Sequence, residues 1–199
     1  MFKRLFNALV LVALSLALSA CVSIHAYVDN SLGDTNYADL KKSAAPQPIQ
    51  LLFEFQTKGV SNARATESTR PKVFEEISRS GMFSSVSYEP VASGRKLSVL
   101  IQNVPLTDNP GGKGFVTGLT LGLAGSTVAD GYICTITYIE PGHDNVATEV
   151  KHSIVTTVGN ATGPAGLAPM TLMQAFDKVV RQMIGKGLRD LGNVSDLAQ

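Results

Sequence analysis

The 199-residue chain has almost no net charge, with 17 Lys and Arg set against 16 Asp and Glu. It also has no basic cluster, so it lacks the long-range positive field by which nucleic-acid binders hold a phosphate backbone. Nucleic acid is therefore excluded as a partner. Cysteine is nearly absent: Cys21 and Cys134 are the two in the sequence. Apolar runs are short as well. The run over residues 5–18 falls below the roughly 20 residues that a membrane-spanning helix needs. Catalytic signatures are missing too, with no G-x-S-x-G, P-loop or G-x-G-x-x-G pattern. Gly111-Gly112-Lys113-Gly114 lacks the P-loop spacing. His25, His143 and His152 are scattered, whereas a metal site needs convergent ligands. No catalytic residue, metal or cofactor is expected, and the chain does not read as an enzyme.

What is present begins at the N-terminus. Lys3 and Arg4 precede the apolar run, and small residues follow it, which is the pattern of a cleavable secretory peptide. Its last four residues, Leu18-Ser19-Ala20-Cys21, resemble the bacterial lipobox. That resemblance implies cleavage after Ala20 and acylation of Cys21, palmitate included, as the mature N-terminus. Val22 stands where an aspartate would retain such a protein at the inner membrane, so the resemblance also implies the outer membrane, with the domain facing the periplasm. Removing residues 1–20 takes Lys3 and Arg4 with them and leaves 179 residues with 15 basic and 16 acidic side chains. That length suits one domain. Cys134, in the strand-like Tyr132-Ile133-Cys134-Thr135-Ile136, is expected to be a buried free thiol.

Residues 22–48 are polar and aperiodic, and read as a flexible tether. Such a coil would average roughly 30 Å end to end and could stretch to about 90 Å. Tyr27, Tyr37 and Leu40 keep open the alternative that part of it packs on the domain. The domain proper is expected over 49–192, followed by a tail over 193–199. Alternation predicts strands at 49–56, 83–89, 96–104, 131–139 and 147–158. A helix is expected over about 61–80, ending at Gly81, with Pro71 either opening a shorter helix or kinking a longer one. A second helix opens with Thr171-Leu172-Met173-Gln174, a capping-box spacing. Its apolar stripe of Leu172, Phe176, Val179 and Met183 would pack on the sheet. The order predicts an α+β fold: a largely antiparallel five-stranded sheet, two helices on one face and a glycine-rich apolar insertion.

That insertion, residues 114–129, is the candidate interaction segment, carried by Gly114, Phe115, Gly118, Leu119, Leu121, Gly122 and Leu123. As a helix it would align Gly114, Gly118 and Gly122 for close approach; as a strand it would align Leu119, Leu121 and Leu123. Three readings stay open: a connection folded on its own domain, a surface for self-association or a partner, and insertion into the bilayer. Elsewhere, His152 shares a strand face with Val150 and Ile154 and reads as a hydrogen-bonded core histidine. Glu75 and Glu76 diverge on a helix and read as a solvated face.

In its order of elements and at Ser80-Gly81-Met82-Phe83-Ser84-Ser85-Val86, the chain resembles a group of envelope α/β domains. These include the N-terminal domain of the Tol-system translocation protein, the lipoprotein activators of penicillin-binding proteins and the curli-secretion lipoprotein. The resemblance implies action through protein contacts in the periplasm. The expectation is a lipid-anchored module that binds an envelope protein or assists assembly, with a membrane-inserting oligomer built from residues 114–129 as the alternative. An envelope-polymer hydrolase is a third reading.

Overall fold

The fold is described from a computed structural model, in which residues 23–106, 127–159 and 161–194 are described. In chain order the elements are β1 (Ile24–Val28), β2 (Ile49–Thr57), β3 (Val60–Ser61), α1 (Ala63–Ser80), β4 (Val86–Ser87), β5 (Lys96–Pro105), β6 (Thr127–Ile139), β7 (Val146–Val158) and α2 (Leu172–Val194). They build one open sheet of seven strands in the order β1-β7-β6-β5-β2-β3, with β4 also paired to β2.

The α+β class with two helices on one face is what forms, and four of the six strand pairings are antiparallel, but the sheet has seven strands rather than five. The sheet is mixed, because β2 runs parallel to both β5 and β4. Between β2 and β5 the chain crosses back through α1, the kind of helical crossover that joins parallel neighbours. The strand expected over 83–89 shrinks to Val86–Ser87. Beyond it, Tyr88 turns its ring against Phe74 at 5.1 Å and under the Arg70 guanidinium at 5.6 Å.

Both helices start and stop where their residues dictate. Asn62 caps α1 by accepting the Ala65 N–H at 3.0 Å, and Gly81 ends it in the left-handed conformation at φ 65°. The helix runs on through Pro71, so the longer of the two expected helices is the one present. At α2, Thr171 Oγ1 accepts the Gln174 N–H at 3.2 Å, and Gln174 Oε1 accepts the Thr171 N–H at 3.0 Å. This is the reciprocal capping box.

Alternation along the strands sends Leu97, Val99, Ile101, Cys134, Ile136, Val150 and Ile154 to the helix-covered side. There they join Val73 and Ile77 of α1 and Val179, Met183 and Leu188 of α2 in one buried cluster. Phe176 packs between Phe55 and Tyr132, at 6.2 and 5.8 Å between ring centres.

The flexible tether is a correction. Residues 24–28 form β1, an edge strand paired antiparallel with β7. The following stretch lies along α2: Asn30 accepts from Lys178 at 2.6 Å, Asp34 pairs with Arg181 at 3.2 Å, and Leu40 is buried. Its polar residues look like those of a coil because their partners are polar groups on the helix. The domain therefore begins by Ile24 rather than at residue 49, and α2 carries it to Val194.

Candidate functional site

The expected site residues lie outside the described residues: Leu18, Ser19, Ala20 and Cys21 at the N-terminus, and Gly114, Phe115, Gly118, Leu119, Leu121, Gly122 and Leu123 in the insertion. The structure does fix where their neighbours sit. Ser23, two residues after Cys21, is held to the end of β7: its hydroxyl donates to the Gly159 carbonyl at 2.9 Å, and its own carbonyl accepts the Gly159 N–H at 2.8 Å. The insertion leaves after Leu106 and returns at Thr127. Leu106 N–H donates to Ala129 O at 2.9 Å, so both ends lie at the same end of the sheet as Ser23.

The larger surface is the sheet face opposite the helices. By register, Leu52 lies beside Ser98, Leu100 beside Thr135, and Ser98 beside Thr137. Ile133 and Ile139 belong to the same face. Neither helix packs there, and Leu52 is exposed while Leu100, Thr135, Ile133 and Ile139 are half-buried. Near Ser23 this face is closed by a small second core of Tyr27, Leu106, Ala129 and Val155, with Leu167 packed on it. Over Leu52, Glu54, Ser98 and Leu100 lies an open cleft of about 540 Å³, bounded by Arg70 and Tyr88. One margin of this face is an interrupted sheet edge. β3 pairs with β2 at Gln56 and Thr57, and β4 at Ile49 and Gln50, so among the described residues no strand covers the stretch between them. Chemically, the surface offers apolar contact flanked by amides and hydroxyls; at its margin the β2 edge is engaged at Phe55, whose N–H donates to Thr66 Oγ1 at 2.9 Å and whose carbonyl accepts the Asn62 N–H at 2.8 Å.

Two buried polar groups, His152 and Glu76, are tied into hydrogen-bond networks with the N-terminal stretch and the helices. His152 is buried, and its Nδ1 accepts the Ser153 N–H at 2.9 Å, which leaves the proton on Nε2 facing Gln182 Oε1 at 2.7 Å. Gln182 Nε2 in turn donates to Asp34 at 3.1 Å. Burial pushes the imidazole below its usual range. The core histidine expected from the strand pattern is thus in place.

The solvated reading of Glu75 and Glu76 holds only for the first. Glu76 is 1% exposed; it accepts the Tyr37 hydroxyl at 2.7 Å and faces Arg79 at 3.4 Å. Burial, and then the hydrogen bond to Glu76, hold the Tyr37 phenol above its usual range. Sequence reasoning missed this pair because the phenol comes from the stretch read as a tether. Cys134 lies fully buried among apolar neighbours, which pushes its thiol up to about 12. Among the described residues, no three metal-ligating side chains converge, and no helix is long and apolar enough to cross a membrane.

Neither a protein-family profile nor a curated protein sequence matches the chain. Solved structures resemble it distantly. A PelC dodecamer from Paraburkholderia phytofirmans is similar at 13% identity and a TM-score of 0.36, over 86% of this chain and 97% of that one. The rare lipoprotein B from Shewanella oneidensis is similar at 10% identity and a TM-score of 0.33, over 73% and 90%. Likeness this faint identifies no family and says nothing of function.

Proposed function

We propose that the chain is a lipid-anchored envelope lipoprotein, held at the outer membrane by acyl chains on Cys21 with its α+β domain in the periplasm. In this reading the domain binds a protein partner, or assists an assembly, through the open face of its sheet. The observation that carries the binding role is that face: Leu52, Leu100, Ile133 and Ile139 share a side of the sheet that neither helix covers. Apolar side chains grouped on an uncovered sheet face are the kind of surface that contacts use. The anchor supports the address, because acyl chains contribute about 0.8 kcal/mol per buried methylene and hold the protein without help from its surface.

Photo-crosslinking in cells tests the binding role. A crosslinking residue at Leu100 or Thr135 is expected to capture an envelope protein, and the same residue at Glu75, on the opposite side of the molecule, is not. Folded protein that yields no adduct from the open face would remove the proposal; an adduct of twice the monomer mass would replace it with self-association.

One observation favours the alternative, an oligomer that inserts the apolar segment read over residues 114–129, of which the last three belong to β6 and stay with the sheet. That segment departs and returns at the end of the sheet that carries Ser23. A mature chain with Cys21→Ser that stays monomeric and off membranes would deprive this alternative of support.

A further inference from the structure

Without a tether, the domain has no slack from its anchor. Cys21 is two residues before Ser23, which is hydrogen-bonded to Gly159 through both its hydroxyl and its carbonyl. Two residues span at most about 7 Å. An acylated Cys21 therefore brings the start of β1 to the bilayer surface whatever else the protein binds.

The side chains at that end suit such a surface. Ile24 opens β1 opposite Val158, and Val128 lies opposite Thr156, which itself lies opposite Ala26. Alternation puts Ile24 with Ala26, and Val128 with Tyr132, on the helix side of the sheet. The cover runs out there, because α2 begins only at Leu172. An antiparallel bridge between Ala26 and Met170 sets the start of that helix level with the start of β1. Ile24 and Val128 are consequently 56% and 47% exposed, and Leu172 and Met173, in the first turn of α2, are 53% and 77% exposed. The opposite end of the sheet instead carries the Arg95–Glu140 ion pair and the polar turn of His143 and Asp144.

We infer that the end bearing Ile24, Val128, Leu172 and Met173 docks on the lipid bilayer, with these side chains at the boundary between headgroups and acyl chains. The inference rests on the lipoprotein reading above. Lipid is the occupant, rather than a second copy, because the short link to Cys21 holds this end against the membrane. Contact there removes apolar surface from water, and it orients the domain with the long axis of α2 leading away from the bilayer.

The test uses the acylated mature protein in vesicles of phosphatidylethanolamine and phosphatidylglycerol, with part of the lipid brominated on its acyl chains. Met173→Cys, Val128→Cys and Val194→Cys each receive an environment-sensitive fluorophore; Cys134 is buried and does not compete. Loss of emission is expected at Met173 and Val128, and none at Val194, at the far end of a helix about 35 Å long. Acylated protein that shows no loss at Met173 and Val128, or an equal loss at Val194, overturns the docking alone. A loss that follows protein concentration rather than bromine overturns it in favour of a second copy. The mass of the N-terminal peptide is the separate control: an unmodified Cys21 overturns the lipoprotein reading and the docking with it.

Discussion

At the scale of single residues, the chain Ser153 N–H to His152 to Gln182 to Asp34 ties three parts of the sequence together through one imidazole. Burial pushes the imidazole toward its neutral form; the Gln182 hydrogen bond and Asp29 favour the charged form, and Lys178 opposes it. An unfolded histidine titrates near 6.5, and this one titrates lower in the folded state. Below about pH 6.5 the unfolded chain therefore binds a proton that the native one refuses, and stability falls as the pH drops through that range. His152→Gln lacks the titrating group in both states. Urea unfolding should show the variant less stable by about 1–2 kcal/mol at pH 8, and the gap should narrow at pH 5.5. A gap that stays constant would mean that His152 does not titrate differently on folding. The core position of His152 was legible from strand alternation alone. Its partner was not, because residue spacing does not say which turn of a helix lies over a given strand residue.

Among the elements, α2 shows what periodicity reveals and what it hides. Its capping box and apolar stripe are readable from residue spacing, and both form. Its glycines are not readable in this way, because a helical glycine looks like a weakness until its neighbour is known. Gly185 and Gly192, two turns apart, face the N-terminal stretch: a Cβ at Gly185 would lie 2.9 Å from the Thr35 side chain, and one at Gly192 2.9 Å from the Lys41 carbonyl oxygen. Gly187 faces the sheet, where a Cβ would meet Ile136 Cδ1 at 2.7 Å. Alanine in place of glycine gains about 1 kcal/mol of helix propensity at any of these sites. At Gly187 the obstruction is the far end of a flexible side chain, so Gly187→Ala should be nearly neutral. At Gly192 it is backbone, and Gly192→Ala should lower stability by about 1–3 kcal/mol as the Lys41 segment is pushed away. Thermal unfolding of the two variants side by side decides it; equal melting temperatures would refute the close seat. The parallel pairing of β2 with β5 escaped the sequence for a related reason, since alternation marks the buried face of a strand without its direction.

For the whole molecule, the decisive difference from the sequence reading is that residues 23–48 belong to the fold. Composition could not show this, because the segment buries few apolar groups: Ala26, Tyr27, Val28 and Leu40 are its buried hydrophobics. Its remaining contacts are polar ones made across long sequence separations, such as Tyr37 to Glu76 and Asp34 to Arg181. A free tether and a docked segment make opposite predictions about truncation. If residues 23–48 were a tether, a chain starting at Ile49 would fold as well as one starting at Ser23. The structure predicts otherwise. Removing the segment uncovers the edge of β7, takes the Tyr37 hydroxyl from the buried Glu76 carboxylate and empties the seat along Gly185 and Gly192. A buried carboxylate that loses a hydrogen-bond partner alone costs about 1–3 kcal/mol, against a total stability of roughly 5–15 kcal/mol. The uncovered strand edge adds a template for aggregation. The chain from Ser23 should unfold in one cooperative transition and remain monomeric, whereas the chain from Ile49 should melt at much lower temperature or precipitate. Equal melting temperatures would restore the tether, and with it a domain free to stand clear of the membrane that its anchor enters.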